Sequence, residues 1–412
     1  MNEWAARRLD ELGQIERGRS RHRPRNDPRL YGSGVPFFQT GDVKAAVLHL
    51  STPQQWYSER GVAQSRIWGP GVTCITIAAN IAETAVLGVR ACFPDSILGF
   101  TPSVQSADAY FVKYLLDAHR SRLTDAARGT TQDNLSVEKL LSFKFPMPEA
   151  RERSAIASVL RTFDELIENN HQRVRVLEEM ARAIYREWFV RFRYPGHESA
   201  PLVDSSLGPI PEGWRAGVLD DLVRLVKDTV DPSRVDRDIP AVGLEHIPRQ
   251  QITLDAWGVA GDLGSRKGVF ARGDVLFGKI RPYFHKVSVA PFDGICSTDG
   301  IILRPEEIHW AQAVFVLSSA ELVAHATTTS NGTKMPRADW RVLGKWPIVI
   351  PPAEVADAFT GIARRQLSLA ETLTFENARL AALRDLLLPK LVTGQIDVSG
   401  LDLDAMLEEP AA

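Results

Sequence analysis

A heptad pattern in the middle of the chain predicts a long amphipathic helix. Between residues 149 and 192, apolar residues recur at the three- and four-residue spacing that places them on one helix face. These seam positions are Ile156, Leu160, Phe163, Ile167, Val174, Leu177, Ala181, Ile184 and Trp188. A polar residue, Asn170, also falls in the seam. It either fixes the register of a helix pair at some cost in stability, or faces solvent where the helix bends or frays.

An internal repeat at an offset of 203 residues predicts a second helix of the same kind. GTTQDNLSVEKLLSFKFPMP, residues 129–148, aligns without gaps with GTKMPRADWRVLGKWPIVIP, residues 332–351. Both segments end in an apolar alternation closed by proline, which predicts a half-buried strand. The offset continues into a second helix over residues 353–388, in which Leu373 aligns with Asn170.

The repeat predicts an α+β protein in which a strand-rich domain and a long helix each occur twice. We expect the two helices to bury their seams on each other as an antiparallel coiled coil. At about 1.5 Å per residue, such helices would hold the domains about 50 Å apart, which exceeds one turn of duplex DNA, about 34 Å. The predicted segments are domains over 1–148 and 193–352, helices over 149–192 and 353–396, and a disordered acidic tail over 397–412.

The composition is that of a folded protein with more than one domain. The chain has 412 residues, of which 44% are hydrophobic and 24% are charged. Because it has neither a run of 18 apolar residues nor a signal-peptide core, we expect a cytoplasmic protein without a membrane span. Cys74, Cys92 and Cys296 are isolated, so neither a disulfide framework nor a zinc cluster is indicated.

Charge alone does not indicate a nucleic-acid-binding protein. Residues 1–148 contain 18 basic and 14 acidic residues, residues 149–192 eight of each, and residues 193–352 contain 18 and 19. Residues 353–412 contain five basic and ten acidic residues. The basic excess is therefore mild and confined to the first segment.

The sequence does not predict an active site in this chain. GDVLFGKI, residues 273–280, lacks the hydroxyl that a phosphate-binding loop needs after its lysine, because Ile280 occupies that place. The Asp42 to Lys44 tripeptide faintly resembles part of a metal-dependent nuclease motif, but a surface loop is the favoured interpretation. Neither an Asn-Pro-Pro-aromatic tetrapeptide nor paired metal-binding histidines occur.

Polar and basic loops remain as candidate DNA contacts in the first half. GRSRHRPR, residues 18–25, alternates arginines in a segment that we expect to be flexible and able to follow phosphates, the alternative being a solvated charged loop. ARGTTQDN, residues 127–134, is a polar loop at the start of the repeat. The candidates are Arg19, Arg21, Arg23, Arg25, Lys44, Thr130, Gln132 and Asn134.

The second half has equivalent candidates in two segments. KIRPYFHK, residues 279–286, interleaves charges with rings, and we expect the rings in the core and the charges on a DNA-facing edge. TTSNGTKMPR, residues 328–337, is the counterpart of the first polar loop, and its Asn, Lys and Arg side chains are suited to base edges. The candidates are Lys279, Arg281, Tyr283, His285, Lys286, Asn331, Lys334 and Arg337.

With the repeat established, the chain resembles the specificity subunit of Type I restriction-modification enzymes over nearly its whole length. The segments that carry the resemblance are FDELIENNHQRVRVLEEMARAIYREWFVRF (163–192), GPIPEGWRAGVLDDL (208–222), GDVLFGKIRP (273–282) and ENARLAALRDLLLPKLVTGQI (376–396). The chain departs from the family at its start, where MNEWAARRLDEL replaces the Gly-Trp opening that the second half has at Gly213 and Trp214.

The resemblance implies a non-catalytic subunit with two target-recognition domains, each recognising one half of a split, asymmetric DNA site. It implies two methylation subunits that bind S-adenosylmethionine and flip an adenine, and two restriction subunits that use ATP and magnesium, with no cofactor bound by this chain. The helices would act as spacers and partner surfaces through Asn170, Leu177, Ile184, Trp188, Leu373, Leu380 and Leu387. The alternatives are a free-standing DNA-binding regulator or antirestriction decoy with the same fold, and a plain scaffold.

Overall fold

The computed structural model describes residues 4–128, 134–262, 264–332 and 334–398. The chain forms two compact units, Met1–Asn169 with Arg379–Ala412, and Asn170–Ala378. Each unit therefore consists of one strand-rich domain together with part of each long helix. Most of the tail that we predict to be disordered, residues 399–412, lies outside the described residues.

The first unit has short strands and helices that lead into a long helix. Its elements are β1 Ala5–Arg7, β2 Gly13–Arg17, β3 Tyr31–Phe37, α1 Thr40–Ala45, β4 His49–Leu50, β5 Gln55–Tyr57, α2 Glu59–Ala63, β6 Ile67–Trp68, β7 Thr73–Thr76, β8 Thr84–Leu87, β9 Ala91–Cys92, β10 Ile97–Pro102, α3 Ala107–Ala118, α4 Arg120–Ala127, α5 Val137–Ser142, β11 Phe145–Met147 and the start of α6, Ala150–Tyr185.

Two sheets organise this unit, with strand orders β2-β10-β7-β8-β4 and β5-β3-β9-β6. Strands β7 and β8 are buried along their whole length, as expected for central strands of a covered sheet. The main core contains Ile75, Phe100, Phe111 and Leu115, which brings α3 onto the first sheet. Strand β1 pairs with β11, so the beginning and the end of the domain meet.

The second unit repeats this order of elements. They are β12 Leu202–Val203, β13 Ile210–Pro211, β14 Arg215–Val218, β15 Val223–Leu225, β16 Thr229–Val230, β17 Pro240–Val242, β18 Gly258–Val259, β19 Lys267–Phe270, β20 Val275–Gly278, β21 Val287–Val289, β22 Gly294–Cys296, β23 Gly300–Pro305, α7 Trp310–Leu317, α8 Ala320–Thr328, α9 Trp340–Leu343, β24 Pro347–Ile350 and α10 Ala353–Val392, which ends in the first unit.

The sheets confirm the internal repeat. The order β15-β23-β20-β21 in the second unit matches β2-β10-β7-β8 in the first, and β14 pairs with β24 as β1 pairs with β11. A parallel bridge between Thr253 and Val289 takes the place of the parallel pair β4 and β8. Helices α3 and α7 begin 203 residues apart, as do α6 and α10. The predicted α+β fold with a repeated domain is thus confirmed.

The two long helices pack as an antiparallel pair within the second unit. Helix α6 has 36 residues and continues into a π-helical turn over Arg186–Val190, and α10 has 40 residues. Val174 and Leu177 of α6 form an apolar cluster with Ala370 and Leu373 of α10. The predicted coiled coil is therefore confirmed.

Asn170 lies inside this helix pair. Its side chain is only 5% exposed, and its amide Nδ2 donates a hydrogen bond to Glu376 Oε2 over 3.4 Å. The alternative of a solvent-facing Asn170 is wrong. Its role in fixing the register stays a prediction.

Helix α10 ends later than the pattern predicts. It runs to Val392, although Pro389 removes a backbone hydrogen bond and is expected to end the helix near Leu388. Leu391 and Val392 are buried in the main core of the first unit, 2% and 0% exposed. Their burial offsets the cost of the proline, because helices in proteins are stabilised chiefly by the packing of their apolar face.

Candidate nucleic-acid interface

The arginine segment of the first unit is fixed to the domain rather than free. The Arg19 N–H donates to the Phe93 carbonyl over 3.1 Å, and the Arg21 N–H donates to Gln64 Oε1 over 2.6 Å. The Ser65 hydroxyl donates to the Arg19 carbonyl over 2.8 Å. Our prediction of a flexible segment is therefore wrong for its backbone, because three hydrogen bonds hold it in place.

The side chains of this segment nevertheless remain available. Arg19, Arg21, Arg23 and Arg25 are all exposed. Arg23 and Arg25 share the carboxylate of Asp95, at 3.6 and 2.5 Å, whereas Arg19 and Arg21 have no ion-pair partner in the described part of the chain. Exposed ion pairs of this kind contribute only about 0–1 kcal/mol. A phosphate can therefore compete with Asp95 for both guanidinium groups.

The other candidates of the first unit are spread over two places. Lys44 is exposed on α1, so the predicted surface loop at this tripeptide is wrong, and the segment is a short helix instead. The Gln39 N–H donates a hydrogen bond to the Asp42 carboxylate at the start of this helix, where a negative charge is favourable. Asn134 is half-buried just before α5. Thr130 and Gln132 lie outside the described residues.

The structure joins the two candidate segments of the second unit into one edge. The Arg281 N–H donates to the Pro336 carbonyl over 2.8 Å, and the Ala338 N–H donates to the Lys279 carbonyl over 2.9 Å. Asn331 and Arg337 exchange backbone hydrogen bonds of 3.1 and 2.9 Å. These hydrogen bonds fix both segments side by side, and we call the result the second-unit edge, residues 279–286, 331–332 and 334–338.

Four polar side chains project freely from this edge. Asn331, Lys334, Arg337 and Arg281 are exposed, while Lys279 is half-buried. Within the described ranges, Arg281, Lys334 and Arg337 have no ion-pair partner. Unpaired cations on a rigid frame can contact phosphates or guanine edges without first breaking an internal ion pair.

Three side chains of the 279–286 segment, Tyr283, His285 and Lys286, face the opposite way from our prediction. Tyr283 is 51% exposed, so its ring is not in the core. The His285 Nε2 donates to the Ser318 carbonyl over 2.9 Å, and the Lys286 ammonium donates to the Leu244 carbonyl. Burial lowers the pKa of both side chains from their usual ranges. His285 and Lys286 therefore hold the loop in place instead of presenting their charges.

A local break in the backbone explains this inversion. Arg281 and His285 have left-handed φ values of 50° and 52°, and the 3-10 turn Pro282–Phe284 lies between them. This geometry interrupts the strand alternation on which our prediction depends. Phe284 is half-buried, as predicted, and the guanidinium of Arg249 lies 4.2 Å from its ring centroid. Arg249 is an exposed basic residue beside this edge that the sequence pattern did not reveal.

Comparison with known proteins shows a similarity to one family. A family model described as the Type I restriction modification DNA specificity domain matches residues 1–179. The Type I restriction enzyme MjaIX specificity subunit of Methanocaldococcus jannaschii is 21% identical over 417 residues, spanning 97% of this chain and 95% of that protein. The EcoDI specificity subunit of Escherichia coli is 22% identical over 274 residues, 59% of each chain.

A solved structure shares the fold over almost the whole chain. The crystal structure of the Type I restriction-modification system S subunit from M. genitalium matches with a TM-score of 0.56 and 13% identity, covering 94% of this chain and 96% of that one. The chain is thus similar to Type I specificity subunits in sequence, and to one of them in fold. The predicted family resemblance is thereby confirmed.

The proposed partner residues of the two long helices have different surroundings. Leu177 and Leu373 are in the seam between α6 and α10. Ile184 and Trp188 pack against the core of the second unit, and Leu387 packs against the core of the first. Leu380 is half-buried. Most of these residues therefore stabilise the subunit itself.

Two glutamates of α6, the half-buried Glu168 and the buried Glu178, bind backbone amides of the strand-rich domains, and the sequence pattern did not indicate them. In the first unit, Glu168 accepts hydrogen bonds from the N–H groups of Leu48 and His49, at 3.0 and 2.6 Å. In the second unit, Glu178 accepts them from Ile252 and Thr253, at 3.0 and 2.7 Å. Each glutamate thus fixes the edge of a sheet to the spacer helix.

The chain does not present a metal-binding cluster within the ranges that the structure describes. All three cysteines are buried, and burial raises the pKa of the Cys296 thiol to about 12. In the same ranges no helix is long and apolar enough to cross a membrane.

Proposed function

We propose that this chain is a Type I specificity subunit that binds a bipartite, asymmetric site in duplex DNA and directs adenine methylation and restriction by partner subunits. The observation that carries the proposal is the repetition of the recognition domain, with an exposed polar face in each copy. In the second unit this face is the second-unit edge, on which Arg281, Lys334 and Arg337 have no ion-pair partner among the described residues. In the first it includes the exposed arginines between Arg19 and Arg25.

Recognition in this proposal combines phosphate and base contacts. The arginines of residues 19–25 would neutralise phosphates, which positions the domain without selecting a sequence. Arg281, Asn331 and Arg337 have side chains that make paired hydrogen bonds to guanine or adenine edges. Two different sets of side chains on one repeated fold would select two different half-sites, which makes the complete site asymmetric.

The long helices would set the distance between the half-sites and bind the partners. Exposed apolar side chains on α6 and α10 support partner docking, because such residues on a surface helix commonly mark an interface. They are Leu166, Val176, Met180, Leu369, Leu383 and Leu386, each between 44% and 57% exposed. We assign these surfaces to two methylation subunits, which would bind S-adenosylmethionine, and infer two restriction subunits that use ATP and magnesium.

Selection from a random duplex library tests this proposal directly. The purified complex of the full chain with its methylation subunit would be mixed with the library at two salt concentrations. We expect enrichment of one motif with two specified blocks and an unspecified gap of fixed length. A single continuous motif, or no enrichment, would contradict the proposal. Specific binding by the chain without its methylation subunit would favour a free-standing regulator or decoy.

A further inference from the structure

A hairpin loop occurs at the same place in both recognition domains. In the first unit it connects the central strands β7 and β8, and the Thr76 N–H donates to the Glu83 carbonyl over 2.9 Å. In the second unit it connects β20 and β21, and the Gly278 N–H donates to the Lys286 carbonyl over 2.8 Å. The second loop is part of the edge to which we assign DNA contacts. Its counterpart, residues 77–82, contains none of the candidates that the sequence indicated.

Both loops have the same backbone signature. Each contains two left-handed residues that are not glycine, Ala79 and Ala82 at φ 62° in the first unit, and Arg281 and His285 at 50° and 52° in the second. A left-handed conformation costs an L-residue about 1–2 kcal/mol. Such residues persist where the surrounding structure determines them, and they concentrate at functional sites.

The neighbouring segment is also the same in both units. The Leu135 N–H donates to the Ile77 carbonyl over 3.1 Å, as the Ala338 N–H donates to the Lys279 carbonyl over 2.9 Å. Asn134 directly precedes Leu135, and Arg337 directly precedes Ala338. Asn134 therefore occupies the place in the first unit that Arg337 occupies in the second. The hairpin loop and this segment therefore form one two-part frame that each domain repeats.

The side chains on the repeated frame differ. At the tip, the first unit has Asn80 and Ile81, whereas the second has the turn Pro282–Phe284 with its exposed Tyr283. The backbone of Asn80 is held, because its N–H donates to the Ala78 carbonyl over 2.9 Å and its carbonyl accepts from the Thr76 hydroxyl. Its side-chain amide is half-exposed and makes no hydrogen bond within the described residues. A fixed backbone with a free amide suits contact with a base edge.

We propose that Asn80 is a specificity-determining residue that contacts an adenine edge in the half-site of the first domain. Asparagine makes paired hydrogen bonds with N6 and N7 of adenine in the major groove, as arginine does with O6 and N7 of guanine. On this repeated frame, the position of Asn80 in the first domain corresponds to the segment that follows Arg281 in the second domain. This inference rests on the proposed DNA-binding function and adds a residue outside the candidates from the sequence.

Substitution of Asn80 tests the inference in the complex of the full chain with its methylation subunit. Asn80→Ala is expected to lose the preference for adenine at one position of the first half-site, by roughly 5- to 150-fold in relative affinity. Asn80→Asp keeps the shape but removes the donor, and we expect the preference to move toward cytosine, whose amino group donates to a carboxylate. The second half-site and the gap should stay unchanged. Relative affinities would be measured by selection from a duplex library.

Two matched controls define what the result means. Asn169→Ala removes an exposed asparagine of α6 in the same unit and should leave the motif unchanged. Arg281→Ala should relax a position in the second half-site only. An unchanged motif in both Asn80 variants, or a uniform loss of affinity for all sequences, would overturn the role of Asn80 while the proposed function stands. If the wild-type complex selects no split motif, the proposed function fails instead.

Discussion

The carboxylate of Glu178 accepts hydrogen bonds from both the backbone N–H and the hydroxyl of Thr253, each over 2.7 Å. Thr253 forms the parallel bridge to Val289 at the edge of the second-unit sheet. In the first unit, Glu168 binds His49, which lies in the equivalent parallel pair of β4 and β8. A single helix, α6, therefore anchors the same sheet edge in each of the two recognition domains.

Removal of the Glu178 carboxylate should destabilise the second unit. Glu178→Ala leaves the buried N–H groups of Ile252 and Thr253 without acceptors, and each unsatisfied group costs about 1–3 kcal/mol. We expect the free energy of unfolding to fall by about 2–5 kcal/mol, as measured by urea denaturation. Glu179→Ala, next to it but exposed, should change it by less than about 0.5 kcal/mol. Equal effects of the two substitutions would contradict the anchoring role.

The anchor of the first unit should make its stability depend on pH. Burial opposes ionisation of Glu168, but hydrogen bonds from the His49 ring and backbone and from Leu48 hold the pKa of the carboxyl below its ordinary 4.5. Because the folded pKa is depressed, the stabilisation is complete above the unfolded pKa and is lost as pH falls through the folded value.

Urea denaturation of the wild type and Glu168→Gln at several pH values measures this dependence. The difference in unfolding free energy between them should be constant above about pH 6 and shrink as the pH falls below about 4. Glu165→Gln, a substitution in the same helix, gives the background effect of losing one charge. If the wild type still has a higher free energy of unfolding than Glu168→Gln below pH 3, the carboxylate charge does not stabilise this unit.

Asn170 should limit stability and define register. Asn170→Leu places in α6 the residue that the repeat has at Leu373, and burial of the added apolar surface is expected to raise the free energy of unfolding by about 1–2 kcal/mol. At the same time we expect the selected DNA motif to tolerate more than one gap length, since an all-apolar seam permits slippage. Asn169→Leu changes an exposed neighbouring residue, and it should neither raise the free energy of unfolding nor widen the range of gap lengths. A stabilised Asn170→Leu variant with one fixed gap would exclude the register role.

Lengthening the helix pair should change the gap without changing either half-site. The pairing of Val174 and Leu177 with Ala370 and Leu373 indicates that seven residues inserted after Arg175 need a matching heptad near Thr372. Seven residues add about 10 Å, or about three base pairs at about 3.4 Å each. Library selection with the doubly extended chain measures the gap. A change in either half-site would contradict a spacer role.

The cations of the second-unit edge should contribute to only one half-site. Arg281→Ala with Lys334→Ala is expected to weaken binding and to reduce the slope of log affinity against log salt by about 1 for each lost phosphate contact. Selectivity in the second half-site should relax where Arg281 contacts a base. Arg341→Ala is the matched control, because Arg341 is exposed in the same unit but paired with Asp339 at 2.7 Å. Unchanged binding by the double variant would show that this edge does not contact DNA.

The helices and the repeat could be predicted because their signals are periodic. The apolar spacing from Ile156 to Trp188 and the offset of 203 residues are visible without any knowledge of the fold. Repetition also indicated that the polar loops at 127–134 and 328–337 are equivalent, whereas the structure alone shows that the segments around Arg281 and Lys334 lie side by side. The end of α10 could not be predicted, because burial of Leu391 and Val392 in a distant part of the chain outweighs Pro389.

The contacts that the sequence did not reveal are single and long-range. Glu178 lies 74 residues before Ile252, and a lone glutamate on a helix has no local feature that distinguishes it from a solvated one. The orientation of Tyr283 and His285 depends on left-handed residues that are not glycine, so the sequence lacks the usual marker of such a turn. The sequence also did not indicate Asn80, because this residue is recognised only from the equivalent backbone of the two hairpin loops.

Single-molecule methylome sequencing of cells with and without this gene, each expressing the neighbouring methylation subunit, tests the central claim most directly. If the chain is the specificity subunit of an active complex, N6-methyladenine will appear at one split, asymmetric motif only when the chain is present. If the methylation subunit is expressed and folded and no new methylated motif appears with the chain, or if the motif is continuous, the claim that this chain directs methylation to a bipartite site is contradicted.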